Sequence, residues 1–154
     1  MSRAFVKESE GDEGPELPEL QVSPHRNLVT PCGLERIQSR VRALQAALSE
    51  ARGADDKAAL ARVQRDLRYW SERLRTAEVV PPPTEARDLR FGSAVTLEAA
   101  DGERVRYQIV GEDEAEPRAG RISYVSPIAR VLIGAEIGDE IEVGGRVMEV
   151  LAIE

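Results

Sequence analysis

The chain has 154 residues, of which 42% are apolar and 4% aromatic, and its net charge is −7. This length suits one domain or two small units around an aliphatic core. The excess of acids argues against tight binding to a phosphate backbone as the main task, which requires clustered Lys and Arg.

Two further features of composition indicate where the protein works. The sequence has no apolar run of about eighteen residues and no apolar stretch of signal-peptide type near its N-terminus, so we expect a cytoplasmic protein without a membrane span. Its single cysteine, Cys32, permits no disulfide within the chain, which is typical of a reducing compartment.

Residues 1–29 have the composition of an acidic tail. They carry three basic and six acidic side chains, a net charge of −3, interleaved with Gly and Pro. Such a segment buries too little apolar surface to offset its ordering entropy, so we predict a disordered tail. His25, the only histidine, lies in this segment and is expected to be solvated.

Residues 30–79 contain two apolar series with alternating steps of three and four residues. The first series is Leu34, Ile37, Val41, Leu44 and Leu48. The second series is Leu60, Val63, Leu67, Trp70, Leu74 and Ala77. This spacing places each series along one seam of a helix. The break at 52–56 is short enough to turn the second helix back on the first, which predicts an antiparallel coiled-coil hairpin.

The ends of the two helices carry capping signals. Thr30 can accept from the free amides of the first helix, and Pro31 suits its first position, where no amide partner is needed. This helix is expected to end near Ala51, and the second is expected to begin at Asp55 or Asp56. The hairpin carries ten basic and seven acidic side chains, a net charge of +3, which is typical of a solvated coiled coil.

The remaining sequence predicts a Pro-rich linker over residues 80–89 and a small α+β unit over residues 90–154. Alternating apolar residues on both sides of Asp101–Gly102 predict a β-hairpin, and a second hairpin is expected across Gly144–Gly145. A third strand is expected from Arg121 onwards. Ser126 and Pro127 are residue types preferred at the N-cap and at the first position of a short helix. We therefore expect an antiparallel sheet of four or five strands with one short helix.

The residue types exclude several kinds of enzyme. A Ser-His-Asp set is not possible because the only histidine lies in the tail. The sequence has no Gly-rich phosphate loop and no Cys/His cluster for zinc. We therefore expect no enzyme with chemistry of its own and no cofactor of its own. The remaining candidates are a binding protein and a protein that lends carboxylates to another enzyme.

Several motifs, in one order, resemble the C-terminal domain of the bacterial GreA/GreB transcript-cleavage factors. They are Phe91-Gly92-Ser93, Tyr107-Gln108-Ile109-Val110-Gly111-Glu112-Asp113-Glu114-Ala115, Ser126-Pro127-Ile128-Ala129-Arg130 and Leu132-Ile133-Gly134. Thr30-Pro31-x-Gly33, at the start of the helical hairpin, is similar to the start of the family's coiled coil. The resemblance covers residues 28–153 and leaves most of the tail outside.

The resemblance implies a fold and a partner. Residues 90–154 would adopt an FKBP-like fold without isomerase activity and would dock on RNA polymerase at the rim of its secondary channel. The coiled coil would enter the channel, in indirect contact with the RNA and DNA of the elongation complex. In the family, carboxylates at the tip help to hold a second Mg²⁺ of the polymerase, which activates water to cut backtracked RNA.

The tip of this hairpin departs from the family pattern. The family's acidic tip motif is absent, and the hairpin is about ten residues shorter, or roughly 7–8 Å shorter in reach at helical rise. Asp55 and Asp56 are the candidates for catalytic carboxylates and ligands of the shared Mg²⁺. The alternative interpretation is that they cap the second helix, where an aspartate accepts from free amides.

The base of the protein carries the candidate partner-binding residues. By resemblance to the family, Ser126 and Pro127 lie near the polymerase contact, and Ile128 is an expected apolar contact. Ser126 and Pro127 can also cap the short helix. The acidic run 112–116 is expected to be a solvated connection.

Three functions remain open at this point. The first is a Gre-type elongation factor, expected as a monomer, that binds polymerase and stimulates cleavage of backtracked RNA. The second is a short-armed Gre-like polymerase binder that regulates or competes without cleavage. The third is a scaffold or chaperone with an FKBP-like base, which the small number of aromatic residues in residues 90–154 disfavours.

Overall fold

A computed structural model describes residues 17–154, so the tail prediction for residues 1–16 lies outside the described part of the chain. The described chain forms a helical hairpin, called the arm below, and a five-stranded sheet with a short helix, called the base. The predicted α+β class is confirmed. None of the helices in residues 17–154 is long and apolar enough to cross a membrane.

The arm consists of α1 (Pro31–Gly53) and α2 (Lys57–Thr76). The Thr30 hydroxyl accepts from the Gly33 amide at 3.0 Å, and Pro31 stands at the first helical position, so the predicted cap is confirmed. Three members of the first seam, Ile37, Val41 and Leu44, are buried between the helices.

The second seam is only half buried. A two-helix hairpin has no third layer, so its second apolar series covers one side of α1 and leaves its own outer edge in solvent. The one buried residue of α2 is instead Arg73, which is 1% exposed. Its burial marks the point where the arm meets the base.

A two-stranded parallel sheet joins the two ends of the arm. β1 (Leu28–Val29) pairs with β2 (Glu78–Val79), so the chain entering α1 is hydrogen-bonded to the chain leaving α2. Asn27 and Val29 are 4% and 1% exposed. The predicted tail therefore extended too far, because residues 27–29 belong to the folded structure. Strands of two residues are too short to show a period in the sequence.

The base contains β3 (Ala94–Ala99), β4 (Arg104–Val110), β5 (Arg121–Ser123), α3 (Pro127–Leu132), β6 (Glu140–Val143) and β7 (Arg146–Ile153). The strand order is β5-β4-β3-β7-β6. Both predicted hairpins are present, as β3–β4 and β6–β7, and both are antiparallel.

One strand pair differs from the predicted antiparallel sheet. β4 and β5 are parallel, with Ile109 opposite Ile122. Residues 111–120 cross over between them through two short 3₁₀ turns, Glu112–Glu114 and Pro117–Ala119, and this crossover returns the chain in the same direction. The crossover contains the acidic run, which is thereby placed beside the arm.

The core of the base lies between the sheet and α3. Fully buried side chains come from the sheet, from α3 and from the segment before β3; they include Leu89, Val95, Leu97, Ile109, Ala129, Leu132 and Val150. α3 contributes Ala129 and Leu132 to this core, while Pro127 and Val131 lie on its solvent side. This packing fixes the orientation of the predicted docking residues.

Candidate functional site

The tip of the arm presents the two predicted carboxylates in different settings. Asp55 lies in the turn with φ 52°, in the left-handed region, and its side chain is exposed. Asp56 is the N-cap of α2, where its Oδ1 accepts from the Ala59 amide at 3.0 Å. The capping interpretation therefore holds for Asp56, and the Asp55 carboxylate is not engaged in a hydrogen bond or ion pair within residues 17–154.

The described residues contain no group of three or more His, Cys, Asp or Glu side chains that could hold a metal ion. The tip thus offers two carboxylates at most. Mg²⁺ is usually bound by one or two protein carboxylates together with waters and phosphates. Asp55 and Asp56 accordingly fit a Mg²⁺ shared with another macromolecule better than a Mg²⁺ resident in this protein.

The predicted docking residues lie at the start of α3. Ser126 Oγ accepts from the Ala129 amide at 3.2 Å, which orders the first turn of the helix. Pro127 is exposed, and Ile128 is half buried against the core. The structure does not bring these residues together with Asp55 and Asp56, because the tip is separated from the base by the length of α2, about 30 Å for twenty residues.

The junction of arm and base is held by a buried ion pair that sequence reasoning missed. Arg73 Nε donates to Asp113 Oδ2 at 2.5 Å, and the two side chains are 2% and 10% exposed. The Tyr69 hydroxyl donates to the other oxygen of Asp113 at 2.7 Å. Glu112 Oε2 lies 3.7 Å from an Arg73 terminal nitrogen. Two turns of α2 are thereby bonded to the crossover of the base.

The environment of Tyr69 follows from this packing. Burial and the hydrogen bond to the Asp113 carboxylate together raise the pKa of Tyr69 to about 12, because both disfavour a phenolate. The Arg73 guanidinium lowers the pKa of Tyr69, but by less than burial and the hydrogen bond raise it. Tyr69 therefore remains a hydrogen-bond donor throughout the physiological range.

Glu114 joins the base to the start of α1. Its Oε2 accepts from the Thr30 amide and from the Gly111 amide, each at 3.0 Å, and its Oε1 accepts from the Thr30 hydroxyl. The side chain is 6% exposed. A Cβ on Gly33 would lie 2.1 Å from the Glu114 carboxyl carbon, so only glycine leaves room for the carboxylate here.

The expectation that residues 112–116 form a solvated connection is therefore wrong for Asp113 and Glu114. Their carboxylates fix the crossover to α2 and to α1, respectively. A run of acids has no period, so the sequence pattern could not separate buried acids from solvated ones. The one available signal was a glycine at position 33, in the first turn of a helix, where it lowers helix propensity.

Comparison with known proteins finds similarity to one family. The model of the family described as transcription elongation factor, GreA/GreB, C-term, matches residues 84–154. A transcription elongation factor GreA of Sphingopyxis alaskensis is 37% identical over 129 residues, which cover 72% of this chain and 82% of that protein. A transcription elongation factor GreB of Xanthomonas axonopodis pv. citri is 37% identical over 135 residues, which cover 75% of this chain and 80% of that protein.

Among solved structures, GreA factor homolog 1 (Gfh1) of Thermus thermophilus aligns with 26% sequence identity. The alignment covers 84% of this chain and 99% of that chain, with a TM-score of 0.41.

Proposed function

Because the chain belongs to the GreA/GreB family of transcription elongation factors, we propose that it binds RNA polymerase during elongation and inserts its arm into the secondary channel. In this proposal the base docks at the rim of the channel through Ser126, Pro127 and Ile128. The protein carries out no reaction of its own and contributes side chains to the active site of the polymerase.

The observation that carries the proposal is the fixed junction between arm and base. A probe that enters a channel from a docked base has to keep its direction, since an arm of about 30 Å swings its tip by about 5 Å for each 10° of tilt. The ion pair of Arg73 with Asp113 opposes such tilting at α2, and the hydrogen bonds from Thr30 to Glu114 oppose it at α1.

At the tip, Asp55 and Asp56 would hold a Mg²⁺ shared with the polymerase. When bound, such an ion activates water for cleavage of an RNA phosphodiester. Asp55 supplies a carboxylate that is not used in capping. Asp56 accepts from the Ala59 amide through one oxygen, Oδ1, and its second oxygen remains for a further ligand. The left-handed turn at Asp55 presents these two consecutive side chains at the end of the arm.

A second candidate function is regulation of the polymerase without stimulated cleavage. It is favoured by the cap that Asp56 provides to α2, because a carboxylate held by the backbone is less free to reach a metal ion. The shorter arm that the sequence predicts also favours this second function. Under this alternative the arm occupies the channel and competes with other ligands there. Family membership leaves the scaffold or chaperone hypothesis without support.

A cleavage assay on a stalled, backtracked elongation complex distinguishes the two candidates. Asparagine at positions 55 and 56 removes both negative charges and retains the cap at 56, since Asn caps helices as well as Asp does. If the tip acts in cleavage, the double variant Asp55→Asn with Asp56→Asn loses stimulation while its affinity for polymerase is unchanged. Asp101→Asn, an exposed aspartate of the base, is the matched control. Full stimulation by the double variant would remove the tip from the mechanism.

A further inference from the structure

Residues 17–26, called the strap below, lie against the arm although they contain no helix or strand. In the middle of α2, Arg68 Nε donates to both oxygens of Glu19 at 3.1 Å. Just after the end of α2, Arg26 pairs with Glu78 at 2.5 Å. The strap therefore runs in the same direction as α2, from the middle of the arm to the end nearer the base.

The strap is also bonded to the base. The Ser23 hydroxyl donates to Glu112 Oε1 at 2.8 Å, and the Tyr124 hydroxyl donates to the Arg26 carbonyl oxygen. The other oxygen of Glu112 is buried, accepts no hydrogen bond from the described residues, and lies 3.7 Å from an Arg73 terminal nitrogen. Glu112 thus joins the strap on one side to the buried ion pair of the junction on the other.

The strap is held most firmly where it joins β1. The Asn27 side-chain nitrogen donates to the Arg73 carbonyl oxygen at 2.7 Å and to the Thr76 hydroxyl at 3.2 Å. Asn27 is 4% exposed, whereas the side chains of Glu19 and Arg68 are 62% and 56% exposed. The contacts are therefore buried beside the junction and exposed towards the middle of the arm.

The positions of these contacts make the strap a diagonal tie between arm and base. Arg68 precedes Arg73 by five residues, which is about 7.5 Å along the helix towards the tip. Four residues of extended chain span at most about 14 Å, so the segment from Glu19 to Ser23 is long enough to join this point of the arm to Glu112. A tie attached farther out along the arm resists tilting over a longer lever than the ion pair of Arg73 does.

The strap can leave the arm without unfolding the rest of the protein. Exposed ion pairs such as that of Glu19 with Arg68 are weak singly and are screened by salt. The apolar side chains of the strap add little to them, since Leu20 and Val22 are 39% and 42% exposed. Segments with exposed hydrogen bonds and few buried apolar contacts open locally before the core does.

We propose that the strap is a releasable brace for the arm. When it is bound, residues 19–26 narrow the range of angles between arm and base; when it is released, the junction alone holds the arm, which tilts over a wider range. Glu19 and Ser23 are the positioning residues of this brace. The brace is a property of the free protein, and its use in guiding the arm into the secondary channel rests on the proposed function.

Distances between two nitroxide labels on the free protein, measured by double electron–electron resonance, report the direction of the arm. With Cys32→Ser, one label is placed near the tip at Ala58→Cys and the other on the base at Val147→Cys, both exposed positions. Ala58 precedes Arg73 by fifteen residues, about 22 Å along α2, so a tilt of 10° displaces its label by about 4 Å. A second pair, with the base label at Ala119→Cys, reports tilting in another direction.

Cutting the diagonal tie should widen the measured distances. Glu19→Arg combined with Ser23→Ala removes the contacts to Arg68 and to Glu112 and leaves the anchor at Asn27 in place. This double variant should broaden the distance distribution of at least one label pair by about 4 Å or more, equivalent to 10° or more of added tilt. Widths equal to those of the wild type in both label pairs would overturn the brace.

Exchange of charges identifies the ion pair responsible. Glu19→Arg alone should broaden the distribution, and Glu19→Arg combined with Arg68→Glu should restore the wild-type width, which a general loosening of structure would not allow. Glu136→Arg, the same charge change at an exposed position of the base, is the control and should leave the width unchanged. Broadening that persists after the exchange, or that Glu136→Arg produces equally, would overturn the proposed pairing. Since no polymerase is present, failure of the brace and failure of polymerase binding are observed separately.

Discussion

Asp113 holds the junction between arm and base. Replacing it by alanine is expected to destabilise the protein more than the loss of any exposed ion pair does. Asp113 neutralises Arg73 and accepts from the Tyr69 hydroxyl. Arg73 is 1% exposed, and without Asp113 its remaining charge partner is Glu112, whose Oε2 lies 3.7 Å away.

The size of the effect can be worked from these contacts. Removing one partner of a buried ion pair costs about 3–5 kcal/mol, since the other charge is left without compensation. Glu112 offsets part of this cost, which places the ion-pair loss at about 3 kcal/mol or somewhat below. The unpaired Tyr69 hydroxyl adds about 1 kcal/mol. We therefore expect Asp113→Ala to lower the free energy of unfolding by about 3–4 kcal/mol.

Equilibrium unfolding in urea, followed by the fluorescence of Trp70, measures this loss in the arm. The control is Asp101→Ala, which breaks an exposed pair with Arg146 and should cost less than about 1 kcal/mol. Adding Arg73→Met to Asp113→Ala should recover part of the stability, because the buried charge is then absent. Equal losses in Asp113→Ala and Asp101→Ala would refute the assignment of a buried pair at the junction.

Three further predictions concern the cap, the phenol and the glycine of the arm. Asp56→Ala should lower the free energy of unfolding by about 1 kcal/mol in the same urea assay, whereas Asp56→Asn, which retains the cap, should not; equal effects would contradict the cap. Because the pKa of Tyr69 is raised to about 12, the free energy of unfolding should fall as pH rises from 10 towards 12. In Tyr69→Phe this fall should be shallower, and identical slopes in the two proteins would refute the raised pKa of Tyr69. Gly33→Ala should lower the melting temperature, because its Cβ meets the Glu114 carboxylate, and an unchanged melting temperature would contradict that contact.

The arm could be predicted from the sequence because its signals are local and periodic. Steps of three and four residues identify a helical seam, and Thr30-Pro31 marks a helix start. The predicted start of α1 is confirmed, and its predicted end near Ala51 falls two residues before the observed end at Gly53. The β-hairpins were predicted for the same reason, since alternation and paired turn residues are also local.

The junction could not be predicted, because its determinants are distant in sequence. Asp113 and Arg73 are 40 residues apart, and Glu114 and Thr30 are 84 residues apart. No periodic pattern links such residues, and acidic side chains are mostly exposed in proteins, so the sequence favoured the wrong interpretation. The parallel pairing of β4 with β5 was missed for a related reason: the crossover of residues 111–120 looked like an ordinary loop.

The tip was predicted as a pair of alternatives, and the structure separates them only in part. Asp56 caps α2, as one interpretation required, while Asp55 is exposed in a left-handed turn. Their part in holding Mg²⁺ stays a prediction, as does the contact of Ser126, Pro127 and Ile128 with polymerase.

The affinity of the protein for core RNA polymerase tests the central proposal most directly. Wild-type protein should bind, and Pro127→Glu should weaken binding at least about ten-fold, which corresponds to about 1.4 kcal/mol, since it places a charge in the proposed contact. Pro117→Glu is the matched control, an exposed proline at the first position of another helical turn of the base, and it should bind as wild type does. Absence of wild-type binding would contradict the proposed function, and equal affinities of the two variants would contradict the proposed docking surface.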